Sequence, residues 1–193
     1  VFGTLTIKAM RTATNIPMTS NAKTVLPRTI IHSTKGDSGG FITRLMSPSD
    51  RRADLIKPFV FLDRFEGDFT SAPPIETGWH PHSGIATVTV VLDGSVRYAE
   101  TTGQSGVLPA GSIEWMRAGG GVWHTGSPNP GVIAGFQLWV ALPPELENAH
   151  SESQYILPDQ VPSHGPARVI VGRYGNAASP IVAPKLTYLS VSL

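Results

Sequence analysis

Short β-prone runs broken at close intervals by glycine and proline leave this chain little room for long helices. Gly and Pro number 20 and 17 in 193 residues, and both punctuate secondary structure. The runs fall at Arg28 to Ser33, Gly40 to Leu45, Phe59 to Asp63, Ile85 to Leu92, Ser95 to Glu100, Ser112 to Arg117, Gly121 to Thr125 and Val132 to Leu142. Their spacing predicts an all-β fold, an antiparallel β-barrel or sandwich. Asp93-Gly94 predicts a tight two-residue hairpin between the fourth and fifth runs. Residues 1–27 are Thr-rich and weakly periodic and are expected to form an N-terminal extension. Pro143-Pro144-Glu145-Leu146-Glu147-Asn148 suits the start of a short helix, because proline fits a first turn and acids favour its positive end. A polar linker and two further strand candidates follow, Arg168 to Gly172 and Leu186 to Ser192.

Composition removes several function classes. Fifteen Lys and Arg against fourteen Asp and Glu give a net charge of +1, so there is no electrostatic footprint for nucleic acid or an anionic membrane. Any link to DNA is expected to be indirect. There is no cysteine, which excludes a disulfide framework, a thiolate metal site and a cysteine nucleophile. Metal ligands must then be His, Asp or Glu. No apolar run approaches the roughly 20 residues needed to cross a bilayer, and a cytoplasmic location is the expectation.

The chemistry concentrates in two segments. In Trp79-His80-Pro81-His82-Ser83-Gly84, strand alternation puts His80 and His82 on the same side, where both can ligate one ion. Pro81 has no backbone N–H, which places the pair at a strand start or barrel rim. A face shared by His82, Gly84, Ala86, Val88, Val90 and Leu92 would give small residues near the histidines and larger ones below, a cavity above a packed floor. The bland alternative is a pair of solvated histidines near a turn. The second segment is Ala118-Gly119-Gly120-Gly121-Val122-Trp123-His124. Its glycines allow a close backbone approach; a phosphate-cradling loop is the alternative, although the helix that should follow one is not expected. His124 alone could be a hydrogen-bonded core histidine. Together the segments favour a three-histidine facial metal site of His80, His82 and His124, suited by ligand softness to zinc, iron or nickel. Glu114 is the acid nearest in sequence to the second cluster, a candidate acid or base beside the ligands; otherwise it is a surface carboxylate on an outer strand face.

Many short motifs resemble the pirin family, in order and near its spacing. They are Pro58-Phe59-Val60-Phe61-Leu62-Asp63, Trp79-His80-Pro81-His82-Ser83-Gly84, Leu92-Asp93-Gly94, Pro109-Ala110-Gly111, Glu114-Trp115-Met116, Ala118-Gly119-Gly120-Gly121 and Gln137-Leu138-Trp139-Val140-Ala141-Leu142-Pro143. The resemblance implies a cupin, jelly-roll-like barrel, the N-terminal half of a bicupin plus extra strands. It implies a barrel over residues 28–143, and a linker with the opening strands of a truncated second cupin over 144–193. It further implies one divalent metal, usually Fe(II). The expected activity is oxidation of quercetin-like phenolic or enolic substrates by a dioxygenase; a transcriptional co-regulator or non-catalytic interaction module is the alternative. The family pattern has a glutamate ligand two residues after the third histidine, and here that position is Gly126. Without it a divalent ion keeps its full formal charge, so affinity should fall and open coordination positions increase. The alternating segment Leu186 to Leu193 would belong to the second barrel. It is expected to add to the first barrel's sheet or to pair with another chain, giving a homodimer by strand exchange.

Overall fold

The computed structural model describes residues 5–6, 30, 32–50, 53–71, 75–181, 183 and 185–192. Apart from Leu5 and Thr6, the expected extension over residues 1–27 lies outside the described residues, as do three of the six residues of the first expected strand. Two antiparallel sheets dominate the rest. The larger has seven strands in the order Glu152–Ile156, Ile113–Arg117, Ile85–Asp93, Val132–Ala141, Phe59–Asp68, Ile42–Met46 and Asp37–Gly39. The smaller orders four: His80–His82, Val122–Pro128, Ser95–Glu100 and Ser105–Pro109. Their inner faces enclose the site, and Pro144–Glu147 forms the one short α-helix among the described residues.

The larger sheet is buried on both faces. On the outer face Ala86, Val88, Val90, Ile113, Trp115, Leu138 and Val140 pack with Ile156, Ile170, Val171, Ile181 and Leu186. On the inner face Val91 and Ile133 pack with Phe69 and Leu108. Alternation explains the division: Trp115 and Val88 face one way, Glu114 and Thr89 the other. A sheet buried on both faces needs apolar residues in both phases, which is why Ile85 to Leu92 reads as a nearly continuous apolar run.

The tight hairpin expected at Asp93-Gly94 does not form. Ile85–Asp93 pairs on one edge with Ile113–Arg117 and on the other with Val132–Ala141, whereas Ser95–Glu100 pairs with Val122–Pro128 and Ser105–Pro109. Both edges of the first strand are taken, so the turn carries the chain around a corner into the other sheet. Gly94 has a φ of +70°, and a Cβ there would meet the Val132 carbonyl oxygen at 2.1 Å. Only glycine fits that corner.

The expected cavity face is also corrected. Ala86, Val88 and Val90 lie in the outer-face core rather than the cavity, and Leu92 is exposed. His80–His82 belongs to the smaller sheet and Ile85–Asp93 to the larger. The chain changes sheets at Ser83-Gly84, where Gly84 has a φ of +69°, so alternation does not carry across. Thr89, in the opposite phase, lines the cavity.

Several strands fall where none is expected, and two of them have five residues. Ser105–Pro109 is an edge strand of the smaller sheet. Glu152–Ile156, within the expected polar linker, adds to the larger sheet beside Ile113–Arg117. Beyond it Ala167–Val171 pairs with Ser163–His164 and with Tyr188–Val191. The terminal strand therefore finds its partner in its own chain, in a three-stranded sheet separate from the large one. No described helix is long and apolar enough to cross a membrane.

Candidate metal centre

Three strand positions bring the histidines together. His80–His82 pairs antiparallel with Val122–Pro128, with His124 opposite His80 and Val122 opposite His82. Alternation turns His80, His82 and His124 inward, while Trp79 and Trp123 are exposed. One potential ligand atom from each histidine lies within 4.8 Å of the other two. The Nε2 atoms of His82 and His124 are 3.1 Å apart. Nitrogens about 2.0–2.1 Å from a common ion and at right angles around it stand about 3 Å apart. His80 Nδ1 is 3.1 Å from the Gly78 carbonyl oxygen; a carbonyl only accepts, so Nδ1 carries the proton and Nε2 keeps its lone pair for a ligand.

The electrostatics keep two of the donors neutral. Burial, reinforced by His80, pushes His82 down to about 4. Burial, with His80 and His82 adding to it, pushes His124 down to about 3. A neutral imidazole is the form that binds a cation. The donor set therefore fits a divalent first-row ion. His82 is held from behind by an aromatic stack: its ring meets Trp139 edge-on at 5.0 Å, Trp139 stacks on Phe61 at 4.3 Å, and the Arg44 guanidinium lies 4.5 Å from the Phe61 centroid. Arg44 is itself fixed by Asp63, at 3.0 and 3.1 Å.

His80 and His124 line a cavity of about 210 Å³. Phe41, Phe65, Val96, Tyr98, Leu108 and Ile133 supply apolar wall. A polar row crosses the opposite sheet, where Asp63 pairs with Gln137, Gln137 with Thr89, and Thr89 with Glu114. Glu114 is buried, which removes the surface-carboxylate alternative. Its Oε2 accepts a hydrogen bond from Thr89 at 2.6 Å, and its Oε1 lies 4.0 Å from His124 Nδ1. Burial pushes its carboxyl up to about 7, the nearby Glu100 adds to the rise, and the Thr89 and Tyr155 hydroxyls oppose it.

Gly126 follows His124 on the same face and lines the cavity. A Cβ there would have ordinary contact, 3.7 Å to Val96 Cγ1, so the backbone leaves room for a side chain beside His124. The phosphate-loop alternative fails on its hydrogen bonds: Gly120 N donates to Ala149 O and Gly121 N to Ala118 O, both at 2.9 Å, and a strand follows.

Sequence reasoning missed Trp139, Gln137, Thr89, Glu100 and Tyr155 as parts of this region. Trp139 and Gln137 belong to the segment Gln137 to Pro143 that resembles the family pattern, but only strand register shows which face they take. Tyr155 sits in the unexpected strand, and Glu100 ends a strand of ordinary polarity.

Among known proteins, a "Pirin-like protein" of Caulobacter vibrioides is 37% identical over 131 residues, covering 67% of this chain and 47% of its own length. "Pirin-like protein 2" of Arabidopsis thaliana is 31% identical over 183 residues, covering 91% of this chain and 53% of its own length. The crystal structure of a quercetin 2,3-dioxygenase from Acinetobacter baumannii superposes with a TM-score of 0.66 at 29% identity, covering 74% of this chain and 54% of that one. The chain spans about half the length of the curated relatives it matches. The all-β architecture is thus of the cupin type found in these relatives. The pirin family model matches residues 41–140, more than half of the 193-residue chain, and this chain belongs to the pirin family.

Proposed function

We propose that this chain holds one divalent ion, Fe(II) by family habit, on His80, His82 and His124, and serves as a dioxygenase of quercetin-like phenolic or enolic substrates. The observation that supports this reading is the convergence of three imidazoles, two of them neutral by burial, beside a cavity with apolar walls and a polar floor. When bound, such an ion supplies Lewis acidity and one-electron chemistry to a chelating substrate and O2. The protein's own part is binding, orientation and proton transfer. Phe41, Phe65 and Ile133 give a flat apolar body somewhere to lie and exclude water from it. Glu114, with its carboxyl near 7, is matched to accept a proton at Oε1 from a phenolic or enolic hydroxyl. Gln137 and Thr89 provide hydrogen bonds for further hydroxyls.

A second reading, a metal-binding interaction module or co-regulator without turnover, draws support from Gly126, where the expected carboxylate ligand is missing. Iron reconstitution without air, followed by oxygen uptake with quercetin, separates the two. Uptake by the loaded protein that disappears in His124→Ala supports the dioxygenase. A loaded protein that consumes no oxygen with quercetin leaves the interaction module as the better account.

A further inference from the structure

In the polar row of the cavity wall, Gln137 is held in one amide orientation. Trp139 stands two residues along the same strand and therefore on the same face. Its indole Nε1 donates to Gln137 Oε1 at 3.2 Å. An indole N–H can only donate, so the reversed amide would set N–H against N–H and lose that bond. The indole is itself held: it stacks on Phe61 at 4.3 Å, and the Arg44 guanidinium covers Phe61 while donating twice to Asp63. With Oε1 taken, Gln137 keeps its Nε2, which has no hydrogen-bond partner among the described residues. The residue lines the cavity together with Asp63 and Thr89, its partners across the strands on either side. Those neighbours have little to give an acceptor. Both Asp63 oxygens accept from Arg44, and the Thr89 hydroxyl donates its proton to Glu114 Oε2 at 2.6 Å. Of these three side chains, Gln137 is thus the one with N–H donors to spare.

A free amide can turn either its carbonyl or its NH2 to a ligand and so discriminates poorly; one locked by a neighbour offers a single polarity. A ligand that leaves a desolvated donor unpaired loses more than the bond itself, which is how such a site discriminates. We propose that Gln137 is a specificity-determining residue: locked by Trp139 as a donor, it selects ligands that present an acceptor oxygen, a ketone carbonyl or the oxyanion of an ionised enol. The substrate class is then narrowed from phenols and enols in general to enols that carry a ketone oxygen. The proposal rests on the dioxygenase reading for the identity of the ligand, but the polarity of Gln137 is a property of the chain without metal.

Two near-isosteric variants separate recognition from support. Gln137→Met removes the amide altogether. Gln137→Glu keeps an oxygen for the Trp139 indole but turns a second acceptor to the cavity in place of the donor. The probe is tropolone, a ring with a ketone oxygen beside an ionisable hydroxyl, titrated calorimetrically into the full chain with and without Co(II). Gln137→Met should bind tropolone about 10-fold more weakly than wild type, and Gln137→Glu more weakly still. The indole N–H signal of Trp139 in 15N NMR should stay near its wild-type position in Gln137→Glu and move in Gln137→Met. If Gln137 served only to hold Trp139, Gln137→Glu would bind tropolone like wild type; that result, or wild-type affinity in Gln137→Met, would overturn the proposal. A wild-type chain that binds no tropolone under either condition would overturn it too. Should wild type take up no Co(II), the metal-site reading fails on its own, and the order of the three proteins in metal-free titrations still decides the role of Gln137.

Discussion

At the scale of single residues, the site is a set of imidazole donors held in place by buried neighbours, and two consequences can be measured. Gly126 shares a face with His124, and a Cβ there would make only ordinary contacts. Gly126→Glu should bring a carboxylate to the three imidazoles, halve the formal charge of a bound divalent ion and raise metal affinity by roughly 10–100-fold. Competition titration against a chelator reads this, and unchanged affinity would mean the side chain does not reach the ion. The second consequence concerns pH in the metal-free protein. His82 and His124 have folded values of about 4 and about 3, below the ordinary imidazole value of 6.5. Their contribution is present above pH 6.5 and is lost as pH falls through 4 and 3. Glu114 is displaced the other way, from 4.5 to about 7, so its contribution is complete below 4.5 and is lost as pH rises through 7. Glu114→Gln should therefore gain on wild type, in denaturant melts, as pH rises from about 5 to 8. A difference between the two proteins that does not vary with pH contradicts the buried carboxyl.

At the scale of elements, the corner at Gly94 governs which sheet each strand joins. Gly94→Ala must relieve both a positive φ and a 2.1 Å approach to the Val132 carbonyl oxygen, which should cost about 1–3 kcal/mol, seen as a lower thermal midpoint; no change would mean the corner relaxes freely. The same corner shows what was legible in the sequence. Strand existence was read well from Phe59, Ile85, Ser95 and Val132 onward, because apolar runs and their Gly and Pro breaks are local properties. Which strands pair is not local: Asp93-Gly94 carries the signal of a hairpin, and the competing pairings with Ile113–Arg117 and Val132–Ala141 override it. Alternation correctly joined His80 with His82, since both lie in one strand. It misassigned Ala86, Val88 and Val90 because the chain changes sheets at Gly84. Edge strands such as Glu152–Ile156, with its polar Glu152, Ser153 and Gln154, resemble linkers in sequence. That is why Tyr155, and with it the surroundings of Glu114, could not be foreseen.

At the scale of the whole molecule, residues beyond Ile156 seal the outer face of the large sheet. Ile170 is fully buried there against the Ala86, Val88 and Val90 side. Ile170→Ala should destabilise by about 2–5 kcal/mol, detectable by denaturant melts, and a loss well below this would show that the two parts are loosely joined. The terminal strand Tyr188–Val191 is the edge of its three-stranded sheet, so self-association through residues 186–193 remains a proposal that light scattering of the chain with and without them can judge. The central claim concerns one ion for one chain. Elemental analysis of purified protein beside His80→Ala and His124→Ala tests it most directly: wild type should carry or take up one first-row divalent metal per chain, and both variants should lose it, whereas equal metal in all three would contradict the site.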